Sequence, residues 1–191
     1  LVAVAAGHLV AHLELALPGH VDLDHLHHAG GELVPTLHAL DGGRASSALE
    51  KECIVDLGRM YGWDNPLGHL TGGGTMANLE ALWVAGRLHP GKKIIASEQA
   101  HYTHSRISEV LGLPFSPVPV DEDGRMDLVE VGKLLEGGDV GTIVATIGNT
   151  GLGAVDRLPE ILELASRYGA RVHADAAYGG YFGLANELRE E

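Results

Sequence analysis

The sequence has 191 residues, 45% of them hydrophobic, enough for a packed core and too many for a disordered chain. Its 13 basic and 26 acidic residues give a net charge of −13, which leaves no positive stripe for a nucleic-acid partner. The single cysteine, Cys53, excludes an internal disulfide, and no stretch is apolar enough over enough length to span a bilayer; a soluble cytoplasmic protein is expected.

Along the chain, residues 1–17 are apolar but lack a basic leader and carry His8, His12 and Glu14, which argues against an export signal. Leu9, Leu13 and Leu17 recur every fourth position, so an amphipathic helix is predicted there. Residues 1–43 as a whole are His-rich and irregular, broken at Pro18-Gly19, Gly30-Gly31 and Asp41-Gly42-Gly43. They are taken as a separate helical or irregular amino-terminal segment, solvated or contacting a dimer partner. His20, His25, His27 and His28 cluster within it without a cysteine or a second ligand pair at familiar spacing, so no metal site is assigned.

Residues 44–191 form the second region, in which helix and strand patterns alternate. Leu49, Cys53, Leu57 and Met60 mark one face of a helix ending at Gly62; Leu79, Leu82, Trp83 and Gly86 mark another over residues 76–87. Leu158, Ile161, Leu162, Ala165 and Tyr168 mark a third, closed by Gly169. Short apolar runs at residues 67–71, 93–96, 115–120, 142–146 and 171–174 are strands. Pro117 and Pro119 each remove a ladder donor and confine the 115–120 strand to an edge. Such alternation predicts an α/β fold with a mostly parallel sheet and flanking helices.

In open α/β sheets ligands sit beyond the carboxyl ends of the strands. Thr71-Gly72-Gly73-Gly74-Thr75 follows the first strand and opens a helix, where free amides and close backbone approach suit a phosphate. His101 follows the second strand, Gly148-Asn149-Thr150-Gly151 the fourth, and Asp175 ends the fifth. Taken singly, a structural histidine, a packing turn and a helix-capping aspartate would serve as well. Together they would suit a ligand with a phosphate, a flat ring and a basic ring nitrogen.

Three stretches resemble the group II pyridoxal-phosphate-dependent amino-acid decarboxylases, which include aromatic amino-acid, tyrosine, aspartate and glutamate decarboxylases. They are Gly68-His-Leu-Thr-Gly-Gly-Gly-Thr-Met-Ala-Asn-Leu, Ser97-Glu-Gln-Ala-His-Tyr-Thr-His, and Ala145-Thr-Ile-Gly-Asn-Thr-Gly continuing to Val172-His-Ala-Asp-Ala-Ala-Tyr. The resemblance covers roughly residues 40–183 and implies a fold type I, aminotransferase-like large domain, cut short. It implies pyridoxal 5′-phosphate as cofactor, an L-amino acid as substrate and a homodimer. Gly74 and Thr75 would bind the phosphate, His101 would stack on the ring, and Thr150 would lie near the ring's 3′ oxygen. Asp175 would pair with the pyridinium nitrogen and Ala177 would pack on the ring face; His101 and Asp175 would be the catalytic pair.

The family holds its cofactor as a Schiff base on a lysine that follows a histidine beyond the Asp motif. Lys51, Lys92, Lys93 and Lys133 all lack that context, so the 191-residue polypeptide alone is expected to be inactive, and the full-length protein active. Three alternatives stand beside this reading. Gly72-x-Gly74-x-x-Ala77 with Glu98 would suit an NAD(P)-dependent reductase, although Tyr102 is followed at the fourth position by Arg106 rather than lysine. An aminotransferase or carbon–carbon lyase would share the phosphate cradle, and a cofactor-free partner subunit would need none.

Overall fold

The computed structural model describes residues 2–6, 9–13 and 44–184. In chain order the elements are β1 (Val2–Ala6), β2 (Leu9–Leu13), α1 (Arg44–Met60), β3 (Leu67–Leu70), α2 (Gly74–Leu88), β4 (Lys93–Ser97) and α3 (Thr103–Val110). There follow β5 (Phe115–Val118), α4 (Leu128–Glu136), β6 (Val140–Thr146), α5 (Leu158–Tyr168), β7 (Arg171–Asp175) and a 3-10 turn over Gly179–Leu184. Among the described residues the strands form one sheet in the order β3-β2-β1-β7-β6-β4-β5, with β2 alone running against the rest. This is the mostly parallel α/β architecture expected from the alternating pattern.

Every residue of β6 and β7 is buried, because helices cover both faces of the parallel sheet. Side-chain alternation divides the core in two. Ile95, Ile143, Ala145 and Val172 meet α4 and α5 through Val131, Leu135, Ile161 and Ala165. Ile94, Ala96 and Val144 meet α2 and α3 on the opposite face through Leu82 and Ile107. β5 is the outer strand among the described residues, as Pro117 within it and Pro119 just beyond it require. Gly169 closes α5 in the left-handed conformation at φ 68°, as its position after the apolar stripe predicts.

Four expectations need correction. The helix predicted for residues 1–17 is instead the antiparallel pair β1 and β2, with Val2 opposite Leu13. β1 lies parallel to β7, Val2 beside Val172, so a partner strand far along the chain overrides the four-residue leucine spacing. The histidine cluster at residues 20–28 lies outside the described residues. In α1, Leu49 and Cys53 face solvent and the inward residues are Ser47, Ile54 and Gly58. Pro66 sets this rotation, since a Cβ on Gly58 would lie 2.3 Å from the proline Cγ. In α2, Trp83 is exposed, and Ala77, Asn78, Ala81, Leu82 and Ala85 fill the inward face. Thr103 and His104, which the strand and helix patterns leave outside any element, begin α3.

One buried carboxylate ties the loops around the carboxyl end of β6. Asp156 accepts the N–H groups of Met126 and Thr146, each at 2.7 Å. Burial raises its carboxyl above the ordinary value of 3.8, and the two backbone hydrogen bonds oppose that rise. A folded value above the unfolded one means that stability falls as pH rises through the interval between them. Asp156→Ala orphans both N–H groups and is expected to cost about 1–3 kcal/mol for each, read as a lower urea midpoint with an unchanged slope. An unchanged midpoint would show that other acceptors take over.

Candidate active site

The carboxyl ends of β3, β4, β6 and β7 meet around a cleft of about 220 Å³. At the β3 end, Gly73 takes φ 140° and ψ 173°, a conformation open only to glycine, and turns the chain directly into α2. No side chain caps this helix, so its first backbone N–H groups have no side-chain acceptor and border the cleft at Gly74 and Thr75. A Cβ placed on Gly72 or Gly73 would meet nothing within 4 Å, which leaves the approach to those amides open. An anion fits this place by dipole and by hydrogen bonding.

At the β4 end, His101 is half-buried and lines the cleft. Its Nδ1 lies 2.8 Å from the Thr103 hydroxyl, which fixes the ring's rotation. Tyr102 leans on the same ring at a centroid distance of 4.4 Å, and Arg106 covers the outer tyrosine face at 4.6 Å. The imidazole therefore offers a flat wall already oriented by its neighbours.

At the β6 end, Asn149 is buried and shapes the turn that carries Thr150. Its Oδ1 accepts from Leu152 N at 2.7 Å, and its Nδ2 donates to Gly124 O at 3.3 Å. Thr150 is thereby presented at the cleft rim, exposed. Beyond β7, Ala177 and Tyr178 complete the lining. Gly179 follows at a point where a Cβ would lie 2.3 Å from the Ile147 carbonyl oxygen, so only glycine lets the two loops touch. The Tyr61 hydroxyl donates to Gly180 O at 3.0 Å; burial, assisted by Tyr181, pushes that phenol up to about 12 and keeps it a donor.

Asp175 forms the floor. It ends β7 with β6 on one side and β1 on the other, and is 5% exposed. Its Oδ2 accepts from His104 Nε2 at 2.8 Å and Asn78 Nδ2 at 3.1 Å, and its Oδ1 accepts from Ala177 N at 3.2 Å. Asn78 Oδ1 in turn accepts from His173 Nε2 at 2.7 Å. Burial alone would push the carboxyl up. The His104 hydrogen bond, with His173 beyond Asn78 and the Ala177 N–H, outweighs it and holds Asp175 well below the ordinary carboxylate range. The floor is a buried, ionised carboxylate facing the cleft.

All six residues singled out from the sequence, Gly74, Thr75, His101, Thr150, Asp175 and Ala177, line this one cleft. Asn78, Thr146, Gly148, Asn149 and Tyr178 also line it and were not assigned a role from sequence. Asn78 and His104 sit inside helices, where sequence spacing gives no sign of what they reach. Glu98, the acidic residue that a dinucleotide site would use, is exposed and outside the cleft. None of the four lysines lines the cleft. Among the described residues no group of His, Cys, Asp or Glu could hold a metal ion, and no helix is long and apolar enough to cross a membrane.

The donor set suits pyridoxal phosphate: an uncapped helix start for its phosphate, a flat imidazole for its ring and a buried anion for its ring nitrogen. A family model, the pyridoxal-dependent decarboxylase conserved domain, matches residues 83–191. The chain is 34% identical over 138 residues to an L-aspartate decarboxylase of Thermococcus kodakarensis, covering 71% of this chain and 36% of that protein. It is 33% identical over 134 residues to a probable L-aspartate decarboxylase of Halobacterium salinarum, covering 69% and 38%. It thus spans under two-fifths of the length of these relatives. Among solved structures it resembles mouse CSAD, with a TM-score of 0.74 and 26% identity over 81% of this chain and 36% of that one.

Proposed function

We propose, from the premise that this chain belongs to the pyridoxal-dependent decarboxylase family, that the full-length protein removes the carboxyl group of an L-amino acid as carbon dioxide, with pyridoxal 5′-phosphate as cofactor. The observation that supports this reading is the buried, ionised Asp175 at the floor of a cleft that also gathers Gly74, Thr75, His101, Thr150 and Ala177. Gly74 and Thr75 bind the phosphate through backbone N–H groups and a hydroxyl. His101 would stack on the ring through its imidazole, and Ala177 would pack against the ring face. Thr150, on the cleft rim, would lie near the ring's 3′ oxygen and the substrate. Asp175 holds a proton on the ring nitrogen. When bound, the cofactor supplies an electron sink for the pair left behind as carbon dioxide departs. His101 and Asp175 are the residues of this chain that serve the reaction most directly.

Residues 44–191 are read as the cofactor-holding unit. Residues 1–43 are read as a segment that adds β1 and β2 to the sheet, and the full-length protein as a cytoplasmic homodimer. The relatives named for L-aspartate place that amino acid first in an assay.

The test is carbon dioxide release from L-aspartate, L-tyrosine and L-glutamate by the full-length protein, with and without added pyridoxal phosphate. Cofactor-dependent release from one of them is the expected result. Binding of NADH, with neither pyridoxal phosphate uptake nor amino-acid turnover, would return the reading to the reductase.

A further inference from the structure

We infer that His104 is a positioning residue for Asp175, donating one neutral hydrogen bond that aims the carboxylate and leaves its negative charge free for a cationic ring nitrogen. This rests on the pyridoxal-phosphate reading of the cleft. His104 is 1% exposed and does not line the cleft, so it acts on a ligand only through Asp175. A carboxylate has about four acceptor positions. His104 and Asn78 take both on Oδ2, and Ala177 N takes one on Oδ1, which leaves a single acceptor position, on the oxygen not held by the two side chains.

The other ring nitrogen decides the form of the histidine. Among the described residues His104 Nδ1 is buried and has no hydrogen-bond partner. A lone pair there is tolerable, whereas a second proton would be a buried cationic N–H without an acceptor. The proton therefore sits on Nε2, which points at Asp175 Oδ2. The consequence is one of charge. An imidazolium at 2.8 Å would neutralise the floor and compete with a protonated ring nitrogen, but a neutral donor orients the carboxylate without cancelling it. Selectivity for ligands with a protonated ring nitrogen then depends on a residue that never touches them.

The experiment measures binding to the apo form of the full-length protein. The ligands are pyridoxamine 5′-phosphate, which needs no covalent attachment, and its analogue with CH in place of the ring nitrogen. The wild type is expected to prefer pyridoxamine phosphate. In His104→Leu that preference shrinks by about tenfold to a hundredfold, while the analogue's affinity moves by less than about threefold. His104→Gln, whose amide N–H can reach Asp175, restores the preference. His104→Asn, too short to reach, behaves like the leucine variant and stands in for it if that variant does not fold. An unchanged preference in the leucine and asparagine variants overturns the proposal, as does parallel weakening of both ligands, the mark of a merely structural role. If the wild type binds neither compound, the cofactor reading itself fails and takes the proposal with it.

Discussion

On the proposed function, replacing Asp175 by alanine is expected to lower the decarboxylation rate of the full-length protein by about a hundredfold to a thousandfold, the usual cost of deleting one preorganised electrostatic group. The loss has two separable parts. The first, on the proposed reading, is the anion that would hold a proton on the cofactor's ring nitrogen. The second is the acceptor for His104 Nε2 and Asn78 Nδ2, both buried. Leaving those donors unpaired costs about 1–3 kcal/mol each, so the alanine variant also melts earlier. Asp175→Asn separates the parts: it keeps the shape, forfeits the charge, and is expected to lose most of the rate with a smaller fall in melting temperature. Turnover within tenfold of wild type in both variants would remove Asp175 from the site. The pH dependence follows from the depressed folded value. The stability that Asp175 contributes is fully present above its ordinary value of 3.8 and is lost as pH falls through the lower folded value. Acid melting of the wild type should therefore be steeper in this range than that of Asp175→Ala.

Gly73→Ala is the second large effect, and its origin is conformational. At φ 140° and ψ 173° a side chain costs about 1–3 kcal/mol in backbone strain, although a Cβ there would touch nothing within 4 Å. The loop escapes by rotating, which turns the first amides of α2 away from the cleft. Affinity for pyridoxamine phosphate is expected to fall by about tenfold to a hundredfold, read by titration of the apo protein. Gly72→Ala is the control, because Gly72 also has open space but no positive φ. If the two variants bind equally well, backbone strain is not what holds the cradle.

The strand ends were readable from the sequence because a buried parallel strand leaves a local signature: an apolar run stopped by small or polar residues. β4, β6 and β7 all carry it, and the ligand rule for open sheets then pointed to His101, Thr150 and Asp175. The edge placement of β5 was equally local, written in Pro117 and Pro119. What escaped was decided at a distance. β1 and β2 are strands because β7 is there to pair with, and nothing within residues 1–17 says so. α3 escaped for another reason. Its buried side includes Thr103, His104 and Ser108 beside Ile107, so a polar-looking segment conceals a helix whose inward face serves the site. The face of α1 was misread because it turns on the contact of Gly58 with Pro66, which no apolar stripe encodes.

The two rims of the sheet also bear on how separate molecules meet. Ile94 N donates to Pro114 O and Glu98 N to Val118 O, both at 2.9 Å, so the even-numbered positions of β5 face its neighbour and the prolines face outward. The outer rim thus lacks an N–H at Pro117, and at Pro119 the N–H is also missing while the carbonyl is already taken by Asp127 N at 3.0 Å. On the opposite rim the Glu50 carboxylate takes the Leu70 N–H at 2.7 Å. An incoming strand would find donors deleted at one rim and one already engaged at the other. Among the described residues, edge-to-edge pairing, the standing hazard of an open sheet, is resisted at these two strands by two prolines and one glutamate.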